Sequence, residues 1–246
     1  MKLQEKSDKK KLFVEITYAK GYNKGGYLKK GILSLKTVLK EDKMAKIKKV
    51  TKTTDNPFLN LYELDRESKT GKKGKYYVAS RAKNVSSLKL NSKKNKPDGV
   101  IIYSLYGENQ DKVVLVRQYR YSIDDYIYEF PAGLVEETED YKEAAVREMK
   151  EETGLEFQPL EVDPVYEKPA FTTIGMTDES CSIVFGTSTG RISQEYLEDT
   201  EEIEVVLADR EEIRRILREE NVAIMCSYML MHFLHDKEPF GFLTEM

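Results

Sequence analysis

Three glutamates near residue 150 are close enough in the sequence to share one chemical task. Glu148, Glu151 and Glu152 fall in a stretch whose pattern predicts a helix, where they span an arc of about 100° on one face. The helix dipole is negative at this end, so three like charges there are unfavourable in water alone. They become favourable where a hard divalent cation such as Mg²⁺ binds among their oxygens. The spacing therefore fits a carboxylate metal site, although on its own it favours an ordinary charged helix end.

The flanking residues decide between a metal site and an ordinary charged helix end, because glutamates also decorate exposed helices. Gly133 is followed after five residues by Glu139 and after seven more by Arg147, and Gly154 and an apolar residue close the stretch. The whole stretch fits the pattern G-x5-E-x7-R-E-U-x-E-E-x-G-U, in which U is a bulky apolar residue. Residues 133–155 therefore resemble the Nudix box, the signature of the Nudix hydrolases.

The resemblance assigns a role to each charged residue of the box. In that family the box forms a loop, a helix and a second loop, binds Mg²⁺ or Mn²⁺, and cleaves a diphosphate joined to another moiety. It implies that Glu148 and Glu152 are metal ligands, and that Glu151 joins them or acts nearby. It also implies that Arg147 orients these glutamates through charge-assisted hydrogen bonds and that Glu139 braces the loop. Glycines begin and end the box where a side chain would obstruct the turn.

A second resemblance extends upstream of the box. The segments "VLVRQYRY" and "YEFPAGLVEE" resemble the branch that contains ADP-ribose pyrophosphatases and nucleoside-diphosphate-sugar hydrolases. The branch implies that the backbone carbonyl of Ala132 is a metal ligand and that Arg120 contacts the substrate phosphates. A guanidinium group suits a diphosphate, although Arg120 could also be an ordinary surface residue of a strand. Gln118 and Glu129 complete the substrate-binding residues that the resemblance implies.

The segment "TTIGMTDES" resembles the loop that supplies a late acidic residue to the site in this branch. Glu179 is the best match, and Asp178 stands beside it. Ile174 occupies the position where the branch usually has proline, which leaves the exact substrate open. Either Glu179 or Glu151 is expected to take the proton of the attacking water.

Charge divides the chain of 246 residues into two contrasting parts. Residues 1–97 carry 27 Lys and Arg against 9 Asp and Glu, whereas residues 98–246 carry 13 against 34. Both parts could simply be solvated surfaces. Alternatively, the basic part steers anionic substrates and the acidic part holds cations.

Composition and turn signals predict three regions. Residues 1–43 are expected to form a basic, poorly ordered N-terminal extension. Residues 44–97 are expected to form an antiparallel β-region in which "FLNLYELD", "KYYVASRA" and "LKL" are strands. Residues 98–246 form the Nudix domain, with "PVYEKPAF" as another strand and helices over the box and near the end of the chain. The expected fold is α+β: a Nudix α/β/α sandwich with a mixed sheet, preceded by a small antiparallel N-terminal β-region.

Several function classes are disfavoured. The chain contains no run of 18 apolar residues, which argues against a membrane span, and its first residues do not look like a secretory signal. Two cysteines without a C-x-x-C motif favour a reducing cytosol over a disulfide framework. His232 and His235 are more simply structural than metal ligands. Nucleic acid is an improbable partner.

The expected activity is a Mg²⁺-dependent hydrolysis of a nucleoside diphosphate linked to a sugar, with ADP-ribose giving AMP and ribose 5-phosphate. Two alternatives remain open: hydrolysis of another nucleotide sugar or a nucleoside triphosphate, and a non-catalytic nucleotide sensor. The resemblance also implies a homodimer, because the N-terminal sheet of this branch commonly exchanges between two subunits.

Overall fold

The structure of the chain is a computed structural model. The described ranges are residues 10–22, 28–41, 44–197 and 202–244. The chain divides into two compact units. The first comprises Met1–Asp55 and Leu61–Val78, and the second comprises Asn56–Asn60 and Ala79–Met246. The expected boundaries at residues 43 and 97, and the expectation of disorder before residue 43, stay predictions.

Antiparallel strands account for most of the described N-terminal part. A two-stranded sheet and a three-stranded sheet, in the order β3-β4-β5, are formed by Lys10–Tyr22 (β1), Leu28–Glu41 (β2), Lys46–Lys52 (β3), Asn60–Glu67 (β4) and Lys73–Ser80 (β5). In β4 the apolar residues Tyr62 and Leu64 are buried and alternate with more exposed ones, as expected for a strand with one covered face. The predicted small antiparallel N-terminal sheet is confirmed.

The second unit is built on a mixed sheet of eight strands. They are Gly99–Tyr106 (β6), Lys112–Arg120 (β7), Asp125–Glu129 (β8), Ala132–Leu134 (β9), Glu156–Pro159 (β10), Ala170–Phe171 (β11), Ser180–Thr189 (β12) and Ile203–Ala208 (β13). The main order is β10-β12-β6-β7-β13, with β8 beside β7, β9 beside β6 and β11 beside β12. β12 and β6 run parallel and the other pairs are antiparallel.

Helices cover both faces of this sheet. They are Lys89–Ser92 (α1), Tyr141–Thr153 (α2), Pro164–Glu167 (α3), Arg210–Glu219 (α4) and Ile224–His235 (α5), with 3₁₀ turns at Val85–Ser87 and Gly241–Thr244. Successive residues of β6 point to opposite sides: Ile102 packs in a cluster with Met149 of α2, whereas Tyr103 packs with Ile216 of α4 and Leu230 of α5. The predicted α/β/α sandwich is confirmed. No helix in the described ranges is long and apolar enough to span a membrane.

Two short segments differ from the sequence-based expectation. The segment Leu88–Leu90 was expected to be a strand, but Asn84 caps a 3₁₀ turn that leads directly into α1. Asp163 likewise caps the proline-initiated turn of α3, so the expected strand at "PVYEKPAF" is reduced to β11. In both places a side chain that bonds the backbone N–H groups favours a helical turn, because it satisfies donors that a turn leaves free.

The strands β6 and β7 separate along their length. They pair at Leu105 and Tyr106 of β6, whereas the opposite end of β6 pairs with β9 and the opposite end of β7 pairs with β8. Side chains near the separated ends therefore border an open space instead of each other. The residues of the candidate site lie there.

Candidate active site

A cavity of about 640 Å³ lies in the second unit and gathers most of the predicted site residues. From α2 it is lined by Arg147, Glu148, Glu151 and Glu152. Ala132 and Gly133 of β9 line it as well. Further lining residues are Gln118 and Arg120 of β7 and Glu179, which precedes β12. Glu129, Glu139 and Gly154 are not part of the lining. Glu129 contacts Arg120 and Glu139 contacts Arg147, both of which line the cavity.

The helix that carries the acidic residues is well defined at both ends. Asp140 caps its first turn, and Glu143 bonds back to the N–H of Asp140, so a capping box begins the helix. Gly154 ends it with a φ of 74°, a left-handed conformation that favours glycine, and its N–H bonds the carbonyl of Lys150. A Cβ at Gly154 would also lie 2.6 Å from the backbone N of Ser193. The glycine that ends the box therefore serves the turn geometry.

Arg147 connects the acidic residues of the box. Its Nε and Nη2 donate to the two carboxylate oxygens of Glu139 at 2.9 and 3.0 Å. Its Nη1 donates to Glu148 Oε1 and to Glu151 Oε2, each at 2.8 Å, and Nη2 also donates to the carbonyl of Leu134 at 3.0 Å. Hydrogen bonds from Arg147 hold the pKa of Glu139 below its usual value. The hydrogen bonds to Glu139 are the main cause that raises the pKa of Arg147, so its guanidinium stays charged.

Strand β9 turns one edge toward these glutamates. Ile102 N–H donates to the Pro131 carbonyl, and Val135 N–H donates to the Asp98 carbonyl. These two bonds show that Pro131 and Val135 turn their backbone polar groups toward β6. In an antiparallel pair the intervening residues turn their N–H and C=O groups outward. Accordingly Ala132 N–H donates to Glu152 Oε2 at 3.2 Å. The carbonyl of Ala132 points to the same edge as its N–H, toward α2.

Gly133 leaves the space that Glu148 occupies. A Cβ built at this position would lie 1.9 Å from Cδ of Glu148, far inside contact distance. Only hydrogen fits there, because the carboxylate group packs directly against the backbone of β9. The side chain of Glu148 is 15% exposed, and Glu152 as a whole residue is 3% exposed. Both carboxylates are therefore held at the junction of α2 and β9.

Arg120 pairs with Glu129 on the neighbouring strand. Its Nε donates to Glu129 Oε2 at 2.6 Å, across the β7–β8 pair. The side chain of Arg120 is 45% exposed, and the residue lines the cavity. The bond to Glu129 therefore orients the side chain of Arg120. Gln118, which is 9% exposed, lies two residues earlier on the same face of β7.

Glu179 forms the opposite wall of the cavity together with residues that the sequence analysis did not select. Its Oε1 accepts from Arg81 Nε at 3.1 Å, and its Oε2 accepts from Thr172 Oγ1 at 3.0 Å. Arg81, Thr172 and Cys181 all line the cavity. Burial, and next the charge of Glu179, raise the pKa of the Cys181 thiol to about 11. In the sequence, Arg81 stands at the end of a strand pattern, which alone could have marked it as a candidate site residue. Its partner lies 98 residues away, and a local pattern cannot reveal such a contact.

The donor atoms suit a hard divalent cation, but they are not already gathered around one point. Carboxylate and carbonyl oxygens at the α2–β9 junction are the ligands that Mg²⁺ prefers. Over the described part of the chain, no group of three or more His, Cys, Asp or Glu side chains is arranged as a ready metal site. Arg147 Nη1 binds an oxygen of both Glu148 and Glu151, whereas the N–H of Ala132 binds an oxygen of Glu152. The chemistry of the donor set therefore fits, and its convergence requires side-chain adjustment.

Comparison with known proteins assigns the family. The NUDIX domain model matches residues 95–226, more than half of the chain. The chain belongs to the Nudix family. The family model covers the whole box and the strands β6 to β13, so the family assignment and the cavity concern the same part of the chain.

Individual relatives are more distant. A Caenorhabditis elegans protein described as a nudix hydrolase is 34% identical over 119 residues, which are 46% of this chain and 52% of that protein. The ADP-ribose pyrophosphatase of Saccharomyces cerevisiae is 27% identical over 166 residues, 66% of this chain and 68% of the yeast protein. A crystal structure of an ADP compounds hydrolase matches with a TM-score of 0.57 at 17% identity, covering 79% of this chain and 94% of that one. This last likeness shows the fold. The chain thus spans about half the length of the nematode relative.

Proposed function

We propose that this chain hydrolyses the diphosphate of a nucleoside diphosphate linked to a sugar, and that ADP-ribose, split into AMP and ribose 5-phosphate, is the first substrate to test. One observation carries the proposal: the glutamates of α2 and the guanidinium of Arg120 line the same cavity. A diphosphate bound with a divalent cation needs both carboxylate ligands and a cationic partner for its oxygens. The printed name of the yeast relative supports the same substrate class.

The residues that would hold the cation are Glu148, Glu152 and the carbonyl of Ala132, with Mg²⁺ as the expected ion and Mn²⁺ as a substitute. The bound ion would neutralise charge on the diphosphate oxygens and act as a Lewis acid. Arg147 positions Glu148 through the bond from its Nη1. Gly133 keeps the position of that carboxylate clear of any side chain.

Two carboxylates are candidates for accepting the proton of the attacking water. Glu151 is 41% exposed in its side chain and accepts one bond from Arg147, whereas Glu179 accepts bonds at both oxygens. Comparing Glu151→Gln with Glu179→Gln separates the two roles, since loss of a general base costs roughly 10²–10⁴ in rate. The variant with the larger fall in kcat, and with loss of the acidic limb of the pH profile, identifies the base.

Arg120 is assigned to the substrate phosphates. A guanidinium can offer two parallel N–H groups to phosphate oxygens. Glu129 binds Nε of Arg120, and Arg120 lines the cavity. Gln118 lies along the same strand face and would bind a polar group of the substrate. Replacing Arg120 by Met should raise KM more than it lowers kcat, because the bound substrate and the transition state both use the contact between Arg120 and the phosphates.

One feature favours a second candidate substrate. Ile174 is 61% exposed in the loop before Glu179, at the position where the resembling branch usually has proline. Isoleucine does not fix the backbone φ as proline does, so this loop can differ in shape from that of the branch and accept a different sugar-linked group. Another nucleotide sugar is therefore the alternative to ADP-ribose.

A homodimer is part of the proposal, because the resembling branch commonly exchanges its N-terminal sheet between subunits. The described strands β3 to β5 would be the exchanged element. Light scattering at micromolar concentration should give twice the mass of one 28.5 kDa chain. A mass of one chain would contradict this part of the proposal.

A substrate panel tests the proposed activity. Purified protein is incubated with ADP-ribose, other nucleotide sugars, dinucleoside polyphosphates and nucleoside triphosphates, with Mg²⁺, with Mn²⁺ and with excess EDTA. Turnover is expected for nucleoside diphosphate-linked sugars with either metal and should be lost with EDTA. Turnover restricted to triphosphates, or unchanged in EDTA, would contradict the proposal.

A further inference from the structure

Asp98 and Ser180 join the starts of two parallel strands next to Glu179. Asp98 immediately precedes β6, and Ser180 is the first residue of β12. The N–H of Asp98 donates to the Ser180 carbonyl at 2.7 Å, and the N–H of Ser180 donates back to Asp98 Oδ2 at 2.9 Å. Ser180 is fully buried. Because Glu179 is the preceding residue, this pair fixes the point from which its side chain starts.

The same aspartate also contacts the wall that carries the Nudix box. The carbonyl of Asp98 accepts from Val135 N–H at 3.1 Å, just after β9. Ala132 and Gly133, which contact the glutamates of α2, lie three and two residues earlier. Asp98 is therefore bonded to both sides of the cavity: its side chain and its N–H bond Ser180, and its carbonyl bonds Val135.

Lys89 completes this connection. Its Nζ lies 2.5 Å from Asp98 Oδ2 and also donates to Ser180 Oγ, and its backbone N–H donates to Asp178 Oδ2 at 3.2 Å. The side chains of Lys89 and Asp98 are 14% and 25% exposed, so water screens the pair less than a surface pair. Without the ammonium group, the carboxylate of Asp98 would be left with a charge that draws water toward the strand starts.

Glu179 itself depends on this arrangement. Thr172 N–H donates to the Glu179 carbonyl at 3.1 Å, and Ala79 N–H donates to the Met176 carbonyl at 2.9 Å, so the loop between β11 and β12 is bonded at several points. Those bonds set the shape of the loop. The contacts among Lys89, Asp98 and Ser180 set the position of the loop's last residues along the sheet, relative to the Nudix box.

We propose that Lys89 and Asp98 are positioning residues that hold Glu179 at its working distance from the carboxylates of the Nudix box. The claim rests on the proposed function, because it gives Glu179 a part in the reaction. Neither residue is assigned a contact with substrate. Their effect passes through Ser180, so it should vanish when Glu179 no longer contributes.

A double-mutant cycle tests this dependence. Lys89→Met keeps most of the stem and removes the charge, and it is measured alone and in the Glu179→Gln background. A displaced catalytic group costs up to about 10²-fold, so kcat should fall by about tenfold while KM changes less than twofold. In the Glu179→Gln background the same change should have no further effect, because residues that act through one group are not additive.

Three further variants frame the result. Asp98→Asn should reproduce the fall in kcat, and Lys89→Arg, which keeps the charge, should recover most of it. Lys94→Met is the matched control, since Lys94 is exposed in the same segment, and it should keep the wild-type rate. Melting temperatures by circular dichroism identify any variant that fails to fold.

Several results would overturn the inference. A wild-type kcat in Lys89→Met or in Glu179→Gln would do so, and so would effects of the two changes that multiply fully. Hydrogen exchange separates this inference from the proposed function. If the wild type hydrolyses nothing in the substrate panel, the proposed function is wrong, and hydrogen exchange alone tests whether Lys89 positions the loop. The amides of Ser180 and Thr172 should then exchange faster in Lys89→Met than in the wild type, while the α2 amides do not change. Equal exchange in both proteins would overturn it.

Discussion

The two walls of the cavity are held in different ways. The Nudix-box wall, formed by β9 and α2, takes its charged residues from one continuous stretch, and Arg147 alone bonds Glu139, Glu148 and Glu151. The loop wall, formed by residues 172–181, depends on partners from distant parts of the chain, such as Arg81. The first wall can be specified by local spacing, whereas the second exists only after the sheet has formed. The following changes test this contrast.

The largest effect is expected for Glu152→Gln in the box wall. The change keeps size but removes a charge from a residue that is 3% exposed and bonded to Ala132 N–H. Turnover should fall by on the order of 10²–10³, the scale for one preorganised electrostatic group. Steady-state kinetics at saturating Mg²⁺ measure this. Glu137→Gln, an exposed residue of the same segment, is the control and should be neutral; a wild-type rate in Glu152→Gln would refute the ligand assignment.

Gly133→Ala tests whether space, and not charge, limits the same wall. The added methyl group would overlap Glu148 Cδ, so the carboxylate must move by more than an ångström. A displacement of that size costs roughly 10²-fold in rate. Kinetics and a melting curve are compared with Gly241→Ala, where the nearest atom to the new Cβ is 3.5 Å away. Full activity in Gly133→Ala would show that Glu148 has room to move without consequence.

Arg147→Lys asks whether the box wall needs a guanidinium or only a positive charge. Lysine keeps the charge but cannot reach Glu139, Glu148 and Glu151 together, because it lacks the planar fork. Loss of such a supporting contact typically costs about 10–100-fold in activity or metal affinity. Activity should therefore fall within that range, and Mg²⁺ titrations should show a weaker apparent affinity. Unchanged values for both would assign Arg147 a role in charge balance alone.

The sequence could predict the box wall in detail and the loop wall only in part. Glu148, Glu152 and Ala132 were selected from spacing and resemblance, and the structure places them at one junction of strand and helix. Arg81 and Lys89 were not selected. Arg81 contacts Glu179, 98 positions away, and Lys89 contacts Asp178 and Ser180, 89 and 91 positions away, besides its nearby partner Asp98. The segment around Lys89 was even expected to be a strand, because "LKL" alternates. The capping side chain of Asn84 overrides that pattern.

The smallest expected effect concerns Cys181 in the loop wall. Burial first, and the charge of Glu179 second, raise its thiol pKa to about 11, so at pH 8 roughly a thousandth of it is thiolate. Alkylation by iodoacetamide should be slow at pH 8 and accelerate as the pH rises toward 11. Glu179→Gln should move this profile to lower pH, whereas Glu152→Gln should leave it in place. A shift caused by Glu152→Gln instead would show that the two walls are not electrostatically distinct.

The central claim, that this Nudix cavity cleaves a sugar-linked diphosphate, is tested most directly by the products of ADP-ribose hydrolysis in ¹⁸O-labelled water. With Mg²⁺ present, mass spectrometry should find AMP and ribose 5-phosphate, with one labelled oxygen in one of the two phosphates and no reaction in EDTA. Release of ADP and free ribose, or no cleavage of ADP-ribose or any other nucleotide sugar with Mg²⁺ or Mn²⁺, would contradict the account.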